Sequence, residues 1–262
     1  MSQPKNPWLS IITACLNDGK NLKKTIQSIR DQQADFIEYI IVDGKSNDDT
    51  LNIIEENKQI IQAWLSEKDE GVYDAMNKGL KMVNGQYILF MNAGDTFYNT
   101  SVLRNIKEQQ RDEDVLYGNA IFVHEDGKYK SPRHKILPSN LDWKSFKNGM
   151  VVCHQALLIK KTIVASYNLK YKVAADLDWA IRSVKNASRI RNLKFIICNF
   201  QFGGMSDIQK KKALQERWHI LIDHYGLITT LWCHLKIPFT YTGWKIYSLY
   251  KKYTIKQQLY LV

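Results

Sequence analysis

The stretch Tyr87-Ile88-Leu89-Phe90-Met91 is apolar throughout and then breaks into Asn92-Ala93-Gly94-Asp95. A carboxylate in a glycine-containing turn, at the end of a buried strand, is a hard oxygen ligand with room beside it. Mg²⁺ and Mn²⁺ suit such ligands and keep waters or substrate phosphates in their remaining positions. The plainer reading of Asp95 is a cap of the following turn or helix. Other acids and amides follow apolar runs in the same way: Asn17 and Asp18 after 9–16, Asp43 after 39–42, Asp69 and Glu70 after 60–65. Asp74, Asn77 and Lys78 surround a helix start, where Asp74 and Lys78 also have the spacing of a surface ion pair. His154 and Gln155 precede a short apolar run, and Asp176 and Asp178 stand at the head of another.

The elements that position these residues follow from hydrophobic period. Residues 9–16 form a continuous apolar run of strand length, and Leu22, Ile26 and Ile29 then recur at helical spacing. Tyr39–Val42 reads as a second buried strand. Ser46-Asn47-Asp48 offers N-caps for a helix through Leu51 and Ile54. A third strand is expected within 60–65, a helix over 75–83 ended near Gly85, and a fourth strand at 87–91. Strand and helix alternating through short connections predict right-handed βαβ units, a parallel sheet, and ligands at the carboxyl ends of its strands. The second half is less regular. It predicts strands over 115–123 with an Asp126-Gly127 turn after them, and a basic, Pro-containing loop at 131–139. Beyond lie a short strand at 156–159, a helix at 177–184 opened by Asp176, and a strand at 195–200 ending in Gly203-Gly204. No internal repeat or low-complexity segment is present.

The 262 residues suffice for one large α/β domain with a helical tail, and 45% hydrophobic with 24% charged residues is a globular composition. The net charge of +11 favours an anionic partner. The segment 206–262 holds nine Lys/Arg against three acids, with Trp232, Phe239, Tyr241, Trp244, Tyr247, Tyr250 and Tyr253 among them. Aromatics mixed with lysines suit the lipid headgroup zone, or else pack on the rest of the chain. Cys15, Cys153, Cys198 and Cys233 are widely spaced with no CxxC pair, which argues against zinc or thioredoxin-type chemistry and suits a reducing cytoplasm. No run approaches 18 apolar residues, and the start leaves no room for a signal peptide.

Five ordered stretches, LSIITACLN (9–17), IEYIIVDGKSNDDT (37–50), SEKDEGVYDAMNKGL (66–80), NGQYILFMNAGD (84–95) and AADLDWAIR (174–182), together resemble family 2 of the inverting, nucleotide-sugar-dependent glycosyltransferases. The resemblance covers about residues 8–205 and is nearest to bacterial enzymes of the O-antigen, capsule and colanic acid pathways. It implies the GT-A fold, an α/β nucleotide-diphospho-sugar transferase fold with a mainly parallel sheet flanked by helices. That domain would span 1–205, followed by a helical, basic, membrane-associating tail at 206–262.

It further implies a Mn²⁺ or Mg²⁺ ion on Asp95, and donor contacts from Asn17, Asp43, Asp69, Asp74, Asn77, Lys78 and Asn92. His154 and Gln155 fall on the acceptor side, and Asp176 is the general base with Asp178 as its rival. For Asp176 the plain alternative is a helix N-cap, and for His154 a structural histidine. Asn92 and Gly44 each stand where the family often has an acid. The implied partners are a UDP, GDP or dTDP sugar and a lipid-linked saccharide such as one on undecaprenyl diphosphate, met at the cytoplasmic face of the membrane. Gln215-Glu216-Arg217-Trp218 is one residue short of the Gln-X-X-Arg-Trp of processive synthases, so processivity is not expected. Two other classes fit less well. A nucleic-acid-binding module would account for the charge but has no recognisable motif. A non-catalytic sugar-nucleotide binder would account for Asn92 but not for the retention of Asp95 and Asp176.

Overall fold

The computed structural model describes residues 6–123, 130–132, 137–201, 203, 208–233 and 235. The Asp126-Gly127 turn, residues 133–136 of the expected loop, Gly204, and Phe239, Tyr241, Trp244, Tyr247, Tyr250 and Tyr253 lie outside the described residues. The first half alternates as expected: β1 (Leu9–Cys15), α1 (Gly19–Arg30), β2 (Ile37–Asp43), α2 (Thr50–Glu56), β3 (Ala63–Ser66), α3 (Val72–Met82) and β4 (Tyr87–Phe90). Then follow β5 (Thr96–Phe97), α4 (Val102–Gln109), β6 (Val115–Val123), β7 (Lys130–Pro132) and β8 (Leu157–Lys160). The chain continues through α5 (Ala175–Lys185), β9 (Ile190–Gln201) and α6 (Lys210–Tyr225), with 3-10 turns at Trp143–Asn148 and His154–Ala156.

One mixed sheet joins the strands in the order β3-β2-β1-β4-β8-β6-β9-β5, with β7 hydrogen-bonded to β6. β1 pairs parallel with β2 and β4, and β2 with β3, so these four strands end at one edge. Every residue of β1, β2 and β4 is buried, because helices cover both faces. Alternate side chains divide between the two layers. Tyr87, Leu89 and Met91 enter the core with Leu22, Ile26 and Leu103, whereas Ile88 and Phe90 enter the core with Trp179, Ile181 and Leu221.

The departures from expectation have local reasons. The third strand starts at Ala63, since residues 57–60 close hydrogen-bonded turns instead. α3 starts three residues early, directly after Gly71, and β9 extends five residues upstream of 195 along β6. The expected loop at 131–139 opens as strand, Ile121 pairing with Pro132. Asp176 does not open α5; Ala174 is the N-cap and Asp176 lies inside the first turn.

Candidate active site

β8 runs antiparallel to β4, with Tyr87 opposite Lys160 and Ile88 opposite Ile159. Extending that register past Phe90 brings the turn before β8 alongside the turn after β4. His154 and Gln155 therefore meet Asn92 and Asp95, 60 residues away in sequence. Asp95 is 2% exposed. Its Oδ2 accepts from Gln155 Nε2 (2.8 Å) and its Oδ1 from the Gln201 backbone N–H (3.1 Å). Burial pushes its pKa up to about 6 against these hydrogen bonds. Gln155 is itself oriented, its Oε1 accepting from Cys153 Sγ at 2.7 Å. Gly94 has φ +95°, and a Cβ there would sit 2.4 Å from Gln201 Oε1. The turn therefore needs glycine both for its backbone and for the approach of β9.

Across this turn His154 Nε2 lies 3.5 Å from Asn92 Nδ2, and Nδ1 lies 3.9 Å from Asp176 Oδ2. Burial disfavours a charged His154, but Asp176 foremost among its neighbours outweighs it, and the histidine pKa rises. Burial likewise works against the Asp176 anion, yet the nearby His154, with help from the charge of Arg217 and the Leu177 N–H, prevails and holds its pKa below the usual carboxylate range. Asp176 keeps 22% of its side chain exposed. The rival Asp178 faces elsewhere: Arg182 Nε donates to its Oδ2 (2.8 Å) and His224 Nε2 lies 2.8 Å from its Oδ1.

The other expected site residues line the exits of the parallel strands. Asn17 is exposed, and its side chain accepts from the Asn47 N–H at 2.8 Å. Asp43 is fully buried; Ser46 N–H (3.0 Å), Ser46 Oγ (2.5 Å) and Ser66 Oγ (2.6 Å) all donate to it, so its carboxylate shapes the 44–48 loop. A Cβ on Gly44 would lie 2.4 Å from Asp69 Oδ2, so Asp69 occupies the space an acid at 44 would need. Lys78 donates to the Lys68 carbonyl (2.8 Å) and pairs with Glu67 (2.9 Å) and Asp74 (3.4 Å). Asn77 exchanges two hydrogen bonds with the backbone of Tyr167, at 2.9 and 2.7 Å. Tyr167 in turn stacks on Trp179 and Tyr73, forming an aromatic floor with Phe90.

Several residues of this arrangement have no motif to reveal them. Thr25 on α1 donates toward the carbonyls of Asp95 (2.8 Å) and Asn92 (3.2 Å) and accepts from Gly94 N–H (3.0 Å). Its one signal is a polar residue on the apolar stripe of Leu22, Ile26 and Ile29. Gln201 acts through its backbone. Glu216 on α6 is 9% exposed and accepts from the N–H groups of Lys172, Val173 and Ala174.

A mixed α/β sheet whose parallel strands gather acids and amides at their exits, joined there by a histidine, places a candidate ligand site where such sheets bind their ligands. The profile described as "Glycosyl transferase family 2" matches residues 10–164, and the chain belongs to that family. A PGL/p-HBAD biosynthesis glycosyltransferase of Mycobacterium tuberculosis is 30% identical over 226 residues, covering 80% of this chain and 84% of the relative. An uncharacterized glycosyltransferase of Methanocaldococcus jannaschii is 26% identical, covering 79% and 76%. These names do not point to the O-antigen, capsule or colanic acid enzymes, so what is established is the family.

Among solved structures, Staphylococcus aureus TarS 1–349 in complex with UDP-GlcNAc superposes with a TM-score of 0.63 at 17% identity, over 82% of this chain and 70% of that one. The chain spans 65% of the length of another TarS 1–349 structure. The mannosyltransferase PcManGT of Pyrobaculum calidifontis, in complex with GDP-Man and Mn²⁺, gives 0.65 at 13% identity over 93% and 75%. At such identities the likeness is one of fold, and it bears out the GT-A-like architecture.

Proposed function

We propose that the chain is an inverting glycosyltransferase that moves a sugar from a nucleotide-sugar donor to a hydroxyl of a lipid-linked saccharide in surface glycan synthesis. The observation that carries this is the pairing of Asp176 with His154 directly across from the Asn92–Asp95 turn. In a single displacement the acceptor oxygen attacks the anomeric carbon while the bond to the nucleoside diphosphate breaks. A partly exposed, ionised carboxylate must take the hydroxyl proton, and Asp176 meets both conditions. His154 holds Asp176 in orientation, and Gln155 holds Asp95.

The Asn92–Asp95 turn fits a divalent cation. Asn92 Oδ1 is buried without a hydrogen-bond donor in the same turn as the buried Asp95, and both side chains offer hard oxygen ligands. No group of three or more His, Cys, Asp or Glu among the described residues forms a metal cage, so such an ion would need diphosphate or water oxygens as well. When bound, Mn²⁺ or Mg²⁺ would neutralise charge on the departing diphosphate. Asn17, Asp43, Asp69, Asp74, Asn77 and Lys78 form the donor side. Asn17 and Asp69 do so at the strand exits; Asp43, Asp74, Asn77 and Lys78 do so by fixing loop and pocket walls. UDP and GDP sugars are donor candidates because the related folds are seen with UDP-GlcNAc and GDP-Man, and the family resemblance adds dTDP sugars.

The test is thermal shift with each sugar nucleotide, with and without Mn²⁺, followed by a transfer assay. One nucleotide series should raise Tm, more so with Mn²⁺, and Asp95→Asn should lose the Mn²⁺ increment and most transfer. A fully active Asp95→Asn protein removes the metal assignment. Binding without transfer or donor hydrolysis would instead favour the non-catalytic binder.

A further inference from the structure

We infer that Glu216 is a positioning residue for the base, which makes the C-terminal helix α6 part of the catalytic apparatus; this rests on the assignment of the base to Asp176. The first turn of an α-helix leaves its N–H groups without intrahelical acceptors, and a polar side chain at the N-cap normally satisfies one of them. α5 has Ala174 at that position and no side-chain cap. Glu216, 42 residues downstream, instead binds the N–H groups of the N-cap and of the two residues before it, and so fixes the chain where it enters the helix. Glu216 Oε2 accepts from Ala174 N–H (2.9 Å) and Val173 N–H (2.8 Å), and Oε1 accepts from Lys172 N–H (2.9 Å). Three successive backbone donors on one buried carboxylate, at the positive end of a helix, are a strong charge-assisted arrangement.

The same loop is held from other sides. Tyr73 Oη donates to the Val173 carbonyl at 2.9 Å, so that residue is fixed through both its N–H and its C=O. Tyr171 Oη donates to Asp223 of α6 at 2.8 Å, and His224 of α6 meets Asp178. α6 therefore grips residues 171–174 before Asp176 and residue 178 after it. α6 makes no hydrogen bond or ion pair with Asp176 itself; Arg217 acts on that carboxylate only through its charge, and the carboxylate faces His154. A charged side chain buried on a tail helix, two residues of backbone from the base, has a purpose in that geometry beyond packing. Displacing a reacting group by about 1 Å can cost on the order of 10²-fold in rate.

The experiment is a double-mutant cycle in the full chain. Glu216→Gln puts an amide N–H₂ against at least one of the three donors. Turnover should fall about tenfold while the donor dissociation constant stays within about twofold. In an Asp176→Asn background, Glu216→Gln should cost less than about twofold more, because its effect passes through the group already removed. Equal fold losses in both backgrounds, or donor affinity that weakens in step with turnover, would overturn the inference and leave Glu216 a packing residue. Should Glu216→Gln fail to fold, Tyr171→Phe releases the neighbouring anchor on α6 and is read in the same cycle by the same criteria. Wild-type turnover in Asp176→Asn alone is a distinct result: it removes the base assignment beneath the inference, and the inference with it.

Discussion

Asp176 and Asp178 are two residues apart on one helix, and their surroundings separate them. Asp176 is ionised, partly exposed and paired only with His154 on its site side; Asp178 is buried between Arg182 and His224. Asp176→Asn keeps the shape and the first-turn position, so the fold should persist while turnover drops by at least about 10²-fold with donor affinity little changed. Asp178→Asn should lower Tm, because it leaves Arg182 and His224 without their shared partner, and should cost turnover far less than Asp176→Asn, by no more than the loss of one α6 anchor. The pH dependence has a definite sign. Burial opposes the Asp178 anion, but His224 and Arg182 depress its pKa. Its contribution to stability is thus complete above the unfolded carboxylate value of about 3.9 and disappears as pH falls below that through the lower folded value. Acid unfolding of wild type and Asp178→Asn should converge at the bottom of that window. A constant Tm difference down to pH 2 would contradict the clamp.

Elements, rather than motifs, account for how the site is joined. The parallel half of the sheet was legible because β1, β2 and β4 are buried on both faces and so read as unbroken apolar runs between amphipathic helices. Asp95, Asn17 and Asp69 were legible as strand exits for the same reason. What could not be read was the antiparallel insertion of β8 between β4 and β6, since hydrophobic pattern carries no strand order; that insertion is what brings Gln155 to Asp95. Nor could long-range hydrogen bonds be read. Asp43 has the residue type of a ligand contact but is saturated by Ser46 and Ser66, and Glu216 has the type of a surface helix residue but is buried.

Thr25 is the sharpest case of an element reaching into the site. Its hydroxyl ties α1 to the Asn92–Asp95 turn by three short contacts. Thr25→Val keeps the volume and leaves Gly94 N–H without its acceptor, at a cost of about 1–3 kcal/mol. Urea unfolding should register that loss, and Mn²⁺-dependent donor binding should weaken as the turn loosens. Wild-type stability would show the hydroxyl to be dispensable.

On the scale of the whole molecule, charge and apolar exposure coincide at one end of the chain. Among the described residues no helix is long and apolar enough to cross a membrane. Lys210, Lys211 and Lys212 are exposed at the start of α6, and beyond its end Ile228 is 85%, Trp232 62% and Leu235 67% exposed. Leu227, Leu231 and Leu235 recur at i, i+4 and i+8, so their exposed side chains share one helical face. α6 is anchored to the core by Glu216, Asp223, Ile220 and Leu221. A helix fixed to the catalytic core, with exposed lysines at its start and exposed bulky apolar groups beyond its end, has the makings of an interfacial anchor. We propose that it rests on anionic lipid and holds the strand exits near a membrane-borne acceptor. Sedimentation with vesicles containing anionic phospholipid should retain the protein at low salt and release part of it near 0.5 M salt, since surface attraction is screened within a few ångströms there. Replacing Lys210, Lys211 and Lys212 together by Gln should reduce retention on anionic vesicles at low salt, whereas Trp232→Ala should weaken the salt-resistant fraction. Both variants should transfer sugar to a water-soluble acceptor at the wild-type rate, because such an acceptor is reached without membrane contact. Failure of the unmodified chain to sediment with these vesicles at low salt would exclude the anchor.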